Sequence, residues 1–253
     1  MMTEKTNESP ILETKDLTKR FGALVAVGRI NLRVGAGVHA VIGPNGAGKT
    51  TLFNLLSGFL VPDRGEVYYR GKKITGLPPH RISQMGIGRS FQITSIFPAL
   101  SVRENIRIAA QSRSSSRYNF LMSCDGLVGV KTTTDTILTQ VGLDPWADTT
   151  AKNLPYGLQR CLDIGISLAT NPDLIMLDEP TSGMGSEDTE RVLALIGQIS
   201  QRLPVVLIEH NIDVVLTISD KITVLYQGLL LAEGTPSEIR EHEGVQEAYL
   251  GGY

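Results

Sequence analysis

Val38-His39-Ala40-Val41-Ile42-Gly43-Pro44-Asn45-Gly46-Ala47-Gly48-Lys49-Thr50 is the stretch from which the fold can be read. Its first five residues form a compact, largely β-branched run that stops at a glycine, and the apolar spacing from Gly48 to Gly58 is helical. Strand, glycine-rich turn and helix make the opening unit of an α/β domain. The turn itself fills every position of the phosphate-loop pattern G-x-x-x-x-G-K-S/T. Glycines let successive backbone N–H groups point inward at a polyphosphate, and a helix opening near Gly48 adds the positive end of its dipole. Lys49 is expected to pair with the β- and γ-phosphates and the Thr50 hydroxyl to ligate Mg²⁺, with Thr51 next in the helix.

Working outward, Ile11 to Val34 alternates short apolar runs with turns, which predicts a few antiparallel strands. Residues 1–10 are polar and without periodicity and read as a disordered leader. Downstream, strand-like runs recur at Leu174 to Leu177, Val205 to Ile208 and Ile222 to Tyr226, with a helix at Glu187 to Arg202. That alternation predicts a mainly parallel sheet buried on both faces. Between the two halves the chain loses its strand signal. Helical patterns at Val102 to Gln111 and Thr133 to Val141 flank a Ser/Arg cluster, Ser112 to Arg117, and predict an inserted helical subdomain over about residues 98–168 with a flexible tip. The spacing of Arg103, Arg107 and Gln111 is that of a solvated helix face.

Composition narrows the classes. Lys and Arg total 24 against 26 Asp and Glu, a net charge of −2, which argues against a nucleic-acid binder working through bulk electrostatics. Two cysteines in 253 residues rule out a disulfide scaffold and suit a reducing compartment. No apolar run reaches the roughly 18–20 residues that span a bilayer, and the start lacks the apolar stretch of a secretory signal. A cytoplasmic protein is expected, with any membrane role exerted through a partner.

The second chemical signal is Leu174-Ile175-Met176-Leu177-Asp178-Glu179, an apolar strand ending in two carboxylates. A strand buried on both faces carries adjacent acids only for a reason, and its C-terminal end meets the crevice where α/β sheets bind ligands. Asp178 would hold magnesium and Glu179 would orient or deprotonate the attacking water, a contribution of about 10² to 10⁴ in rate.

With Gln92 in Arg89-Ser90-Phe91-Gln92, Leu154-Pro155-Tyr156-Gly157-Leu158-Gln159-Arg160, Pro180-Thr181-Ser182-Gly183-Met184 and Glu209-His210, the order of motifs resembles the nucleotide-binding subunits of ABC transporters from about residue 11 to the end. The Phe21-Gly22 start, Tyr156-Gly157, Gly183-Met184, and the ending from Glu233-Gly234-Thr235-Pro236 to Glu247-Ala248-Tyr249-Leu250 look closest to the branched-chain amino acid importers and their urea and amide relatives. The resemblance implies a P-loop NTPase, RecA-like core with an N-terminal antiparallel β-subdomain, and an ATPase that uses ATP and Mg²⁺. By that resemblance Phe21 would stack on the adenine, residues 43–51 would cradle the phosphates, Gln92 would touch magnesium and the attacking water, and His210 would contact the γ-phosphate. Tyr156 and Gly157 would offer the tip of their helix to the nucleotide of a second protomer. Thr50, Gln92 and Asp178 form the implied magnesium set; Glu179, His210 and Gln92 form the implied catalytic set.

Implied partners are transmembrane permease subunits, a second ATPase subunit (identical or different) in a head-to-tail dimer and, indirectly, a periplasmic substrate-binding protein. The implied place is the cytoplasmic face of the inner membrane. Residues Ile93 to Leu100, with Phe97 and Pro98, are the expected permease contact. The chain departs from the family at Pro155, where a serine is usual, at Leu158 for glutamine, and at Gly185 for Asp or Asn. Those departures raise an alternative, a regulatory subunit that holds ATP but hydrolyses it slowly. A soluble ATPase of translation or DNA repair is a third reading, disfavoured because such proteins carry two linked cassettes or a long coiled-coil insertion.

Overall fold

The computed structural model describes residues 9–90, 96–112 and 128–250. Most of the expected leader, Gln92 and nearly all of the expected tip around Ser112 to Arg117 lie outside the described residues. In chain order the elements are β1 (Leu12–Phe21), β2 (Leu24–Ile30), β3 (Arg33–Val34), β4 (Val38–Ile42), α1 (Lys49–Leu56), β5 (Arg64–Tyr69), β6 (Lys72–Lys73), α2 (Pro79–Met85) and β7 (Ile87–Arg89). They continue with α3 (Val102–Ser112), α4 (Val128–Gln140), α5 (Tyr156–Ala169), β8 (Leu174–Asp178), α6 (Ser186–Ser200) and β9 (Val205–Ile208). The chain closes with α7 (Ile212–Ile218), β10 (Lys221–Tyr226), β11 (Leu229–Gly234), α8 (Pro236–Glu241) and α9 (Glu243–Leu250). Two compact units result: Met1–Ile82 with His210–Tyr253, and Ser83–Glu209.

In the first unit β2, β1, β5 and β6 form an antiparallel sheet in that order, with β3 also on β1. Beside it β4 pairs parallel with β10, and β10 turns back antiparallel onto β11. All five residues of β4 are buried, as a β-branched strand covered on both faces should be. α1 buries Leu52, Phe53, Leu55 and Leu56. It ends at Ser57, whose hydroxyl donates to the Phe53 carbonyl at 2.6 Å. α8 opens on a capping box in which Thr235 and Glu238 satisfy each other's backbone N–H.

In the second unit β7, β8 and β9 are parallel neighbours, followed or preceded by helices. α6 buries Val192, Leu195, Ile196 and Ile199 on one stripe and carries Glu187 and Asp188 in its first turn, where carboxylates suit the helix dipole. Arg103 is ion-paired with Asp135 and Arg107 with Glu104, and Arg107 also donates to Gln111 at 2.8 Å. The spaced charges of α3 are thus spent within the helical layer. Short β7, the β5–β6 hairpin, β11 and helices α2, α7, α8 and α9 have no counterpart among the sequence expectations. Three residues bounded by Gly86 and Ser90 are too few to show a period.

A polar chain that starts at buried His39 inside the first unit makes stability pH-dependent. His39, the second residue of β4, hydrogen-bonds through Nε2 to Thr223 Oγ1 at 2.8 Å, and that hydroxyl donates to Glu233 at 3.0 Å. Burial, with Lys221 adding to it and Glu233 opposing, pulls the His39 imidazole down to about 4. The unfolded chain therefore binds the extra proton between pH 6.5 and 4, so stability is full above 6.5 and falls as pH drops through this window. Urea unfolding should show His39 costing about 2 kcal/mol between pH 7 and pH 5. A His39→Gln chain whose stability falls as steeply over the same range would contradict this.

Candidate functional site

The phosphate loop lies wholly in the first unit. β4 delivers Gly43 and α1 begins at Lys49, so the chain reverses between a rigid strand and a rigid helix. Gly43 has φ 154° and a Cβ there would sit 2.2 Å from the Leu225 carbonyl oxygen; Gly48 has φ 102° and a Cβ would sit 2.2 Å from the Ala26 carbonyl oxygen. Both positions need glycine for conformation and for space. The loop is tied down further where the Gly228 N–H donates to the Ala47 carbonyl at 3.1 Å and Gly28 N–H to the Gly228 carbonyl at 2.7 Å. Lys49 is buried, and its ammonium donates to the Gly43 carbonyl at 2.6 Å and the Pro44 carbonyl at 3.1 Å. That fold-back places a cation inside the loop. Asn45, Gly46 and Thr50 are exposed at its rim.

Phe21, at the end of β1, is half exposed, with the Lys19 ammonium 5.8 Å from its ring centre. An aromatic face left open beside a cation is free to receive a flat ring. His210 is exposed just ahead of α7, whose first turn is capped by the Asn211 side chain accepting from Asp213 N–H at 3.0 Å. Tyr249 of α9 also belongs here: burial pushes its phenol up to about 12, partly offset by the Gly43 backbone amide.

The acids and the signature helix lie in the second unit. Asp178 ends β8 with 3% exposure, and its carboxylate meets the Arg89 guanidinium of β7 at 3.3 Å. Burial raises the Asp178 carboxyl above its ordinary value; Arg89 opposes that shift and the neighbouring Glu179 charge adds to it. Glu179 takes the left-handed conformation with φ 46°, a strain of about 1–3 kcal/mol for a non-glycine residue. Its N–H donates to the Ile208 carbonyl of β9 at 2.9 Å, and its carbonyl accepts from Arg160 at 2.9 Å. The strain is held from both sides.

α5 starts at Tyr156 with Pro155 as its cap residue and no side-chain cap, as the replacement of serine by proline requires. Tyr156 is 45% exposed and its hydroxyl donates to the Ser182 carbonyl at 3.3 Å. A Cβ on Gly157 would fall 2.3 Å from the Asp188 carboxyl. The structure therefore brings the signature, the acids and the loop after them together within one unit. Of the expected permease contact, Phe97 (51%) and Leu100 (36%) are exposed; Ile93 to Ser95 lie outside the described residues.

Three residues escaped the sequence reading. Arg89 stood in a quoted motif but only its strand register shows that it reaches Asp178. Glu209, fully buried, accepts from the Thr181 N–H at 3.0 Å and the Thr181 hydroxyl at 2.6 Å. The signal for it was available, since an acid closing the apolar run Val205 to Ile208 follows the same logic as Asp178. Arg160 is 1% exposed; it stood in the quoted 154–160 stretch, but nothing local said that its side chain would be buried.

Thr50 and Asp178 offer a hydroxyl and a carboxylate, hard oxygen donors of the kind Mg²⁺ takes beside water and phosphate oxygens. Each donor, taken within its own unit, is of a type that ion accepts. Among the described residues no helix is long and apolar enough to cross a membrane.

Comparison with known proteins agrees with these features. The ABC transporter family profile matches residues 27–182, and that of the branched-chain amino acid ATP-binding cassette transporter matches residues 230–253. The chain is 40% identical to the high-affinity branched-chain amino acid transport ATP-binding protein BraF of Pseudomonas aeruginosa, over 96% of this chain and 98% of that protein. Its structure is similar to the ADP conformation of MJ1267, an ATP-binding cassette of an ABC transporter, with a TM-score of 0.82 at 29% identity over 96% and 99% of the two chains. It is also similar to the dimeric cassette MJ0796, with a TM-score of 0.75 at 25% identity over 89% and 98%. The phosphate loop, the acid-tipped strand and these matches together establish that the chain belongs to the ABC transporter family, as an ATP-binding, ATP-hydrolysing cassette with a P-loop NTPase fold.

Proposed function

We propose that the chain powers import of branched-chain amino acids, or of related amides or urea, from the cytoplasmic face of the inner membrane. The observation that carries this substrate class is the branched-chain transporter match at residues 230–253, lying beyond the region shared by ABC cassettes in general. In this reading Phe21 stacks on adenine, residues 43–51 hold the phosphates, and Thr50, Asp178 and Gln92 hold Mg²⁺, which neutralises phosphate charge. Glu179 takes the proton of the attacking water, and His210 and Gln92 orient the γ-phosphate end. Tyr156 and Gly157 serve the nucleotide of a second ATPase subunit, which the likeness to a dimeric cassette supports.

ATP then acts as an adhesive between two protomers, and loss of the γ-phosphate weakens the seam. A ligand shifts a conformational equilibrium only by its differential affinity, so the contrast between ATP and ADP is what can move the permeases. The helical subdomain over about 98–168, with Phe97 and Leu100, is the surface offered to them, and a periplasmic binding protein delivers the solute from the other side.

The test is reconstitution with the permease subunits and the binding protein in vesicles, followed by uptake of radiolabelled leucine. ATP-dependent accumulation is expected. Uptake of urea or a short amide instead would move the substrate class, and no ATP-dependent uptake of any of them would remove the importer reading. The uncapped first turn of α5 at Pro155 favours a second reading, a slow regulatory subunit. Near-zero ATPase of the assembled transporter, unaltered by Glu179→Gln, would select it.

A further inference from the structure

Arg160 sits in the first turns of α5, yet its side chain is buried, with 1% of its surface exposed. A guanidinium is costly to remove from water unless its donors are used. Here one of its nitrogens, Nη2, is used on the backbone of the acidic pair. Nη2 donates to the Glu179 carbonyl at 2.9 Å and lies 3.4 Å from the Asp178 carbonyl, while Nη1 is 3.7 Å from Asp163 on the next turn of its own helix. The same peptide is held opposite by the Glu179 N–H on the Ile208 carbonyl.

Two anchors on the two sides of Glu179 maintain a left-handed φ of 46°, and that φ sets where its carboxylate points. One anchor is a sheet neighbour that cannot move independently. The other is carried on the helix whose N-terminus holds Tyr156 and Gly157, and Tyr156 also touches the Ser182 carbonyl just beyond the acids. Both carbonyls are met by the one nitrogen Nη2 while Nη1 faces Asp163; a lysine at position 160 keeps the charge and can donate to a carbonyl, but it has a shorter arm and no second nitrogen for Asp163.

We propose that Arg160 is a positioning residue for hydrolysis, which aims Glu179 by clamping the Asp178 and Glu179 carbonyls and so makes that aim depend on the seating of the signature helix. This rests on Glu179 acting on the attacking water as proposed above. The placement of α5 against a second protomer's nucleotide is thereby transmitted to the acid of the same chain.

The test compares Arg160→Lys and Arg160→Gln in the full chain assembled with its permeases. Steady-state ATPase is measured beside the dissociation constant of a fluorescent ATP analogue and the melting temperature. Both variants are expected to lower kcat by about tenfold or more, the loss of one charge-assisted contact, with glutamine the worse. KM for ATP and the affinity for the analogue should stay within about threefold, and lysine should recover part of the rate. An unchanged kcat in a folded variant overturns the proposal. So does a joint fall of kcat, nucleotide affinity and melting temperature in both variants, which would mark a merely structural arginine. The two failures are separable by Glu179→Gln in the same assay: if that variant turns over at the wild-type rate, the reading of Glu179 is at fault rather than the clamp.

Discussion

Glu179→Gln should lower ATP turnover by about 10² to 10⁴, the usual contribution of a positioned general base, while nucleotide still binds. The amide matches the carboxylate in size and leaves the backbone anchors on Ile208 and Arg160 in place, so the change falls on proton acceptance and not on the loop's conformation. With hydrolysis removed, ATP should persist between two protomers, and size-exclusion chromatography with excess ATP should show a stable dimer. A variant that keeps its turnover, or that stays monomeric with ATP in the absence of any other ATPase subunit, would contradict a composite site. The neighbouring Asp178 is a poor substitute base, because its carboxylate is already engaged by Arg89 at 3.3 Å.

Lys49→Ala should weaken ATP binding by about 10- to 100-fold, the loss of a charge-assisted contact of about 1.5–3 kcal/mol. Titration with a fluorescent ATP analogue measures it. The Lys49 ammonium bonds to the Gly43 and Pro44 carbonyls, and those bonds compete with a phosphate for the same cation. Part of the intrinsic attraction is therefore already offset, which keeps the expected loss below what a free ammonium would produce. Unchanged affinity would mean that Lys49 never leaves the carbonyls and that the backbone N–H groups alone hold the phosphates.

The phosphate loop and the acid pair were readable because each is a contiguous run whose chemistry follows from neighbours in the chain. Val38–Ile42, Val205–Ile208 and the start of β8 coincide with the structure for the same reason: a fully buried parallel strand is an unbroken apolar run. The Thr235-to-Glu238 capping box was equally open to reading, as a hydroxyl followed three residues later by a glutamate. β7 was not readable at all, since three residues carry no period and their strand character comes from pairing with β8.

The functional partners of the acids divide in the same way. Glu209 could have been suspected from its place at the end of an apolar strand, but nothing in the chain says that it would hold Thr181, 28 residues earlier. Arg89 and Asp178 are 89 positions apart and meet only because β7 and β8 lie in parallel register.

By itself the order of residues determined the strand–loop–helix unit, the glycine positions, the two acids and the family they announce, because local backbone preference and short motifs depend on adjacent residues alone. Tertiary structure alone decided that Arg160 leaves water to grip the carbonyls beneath Asp178 and Glu179, and that His39 loses its proton inside a strand. Those outcomes come from burial and from pairings between distant segments, where the cost of an unsatisfied charge in a dry interior selects a partner that chain proximity cannot name.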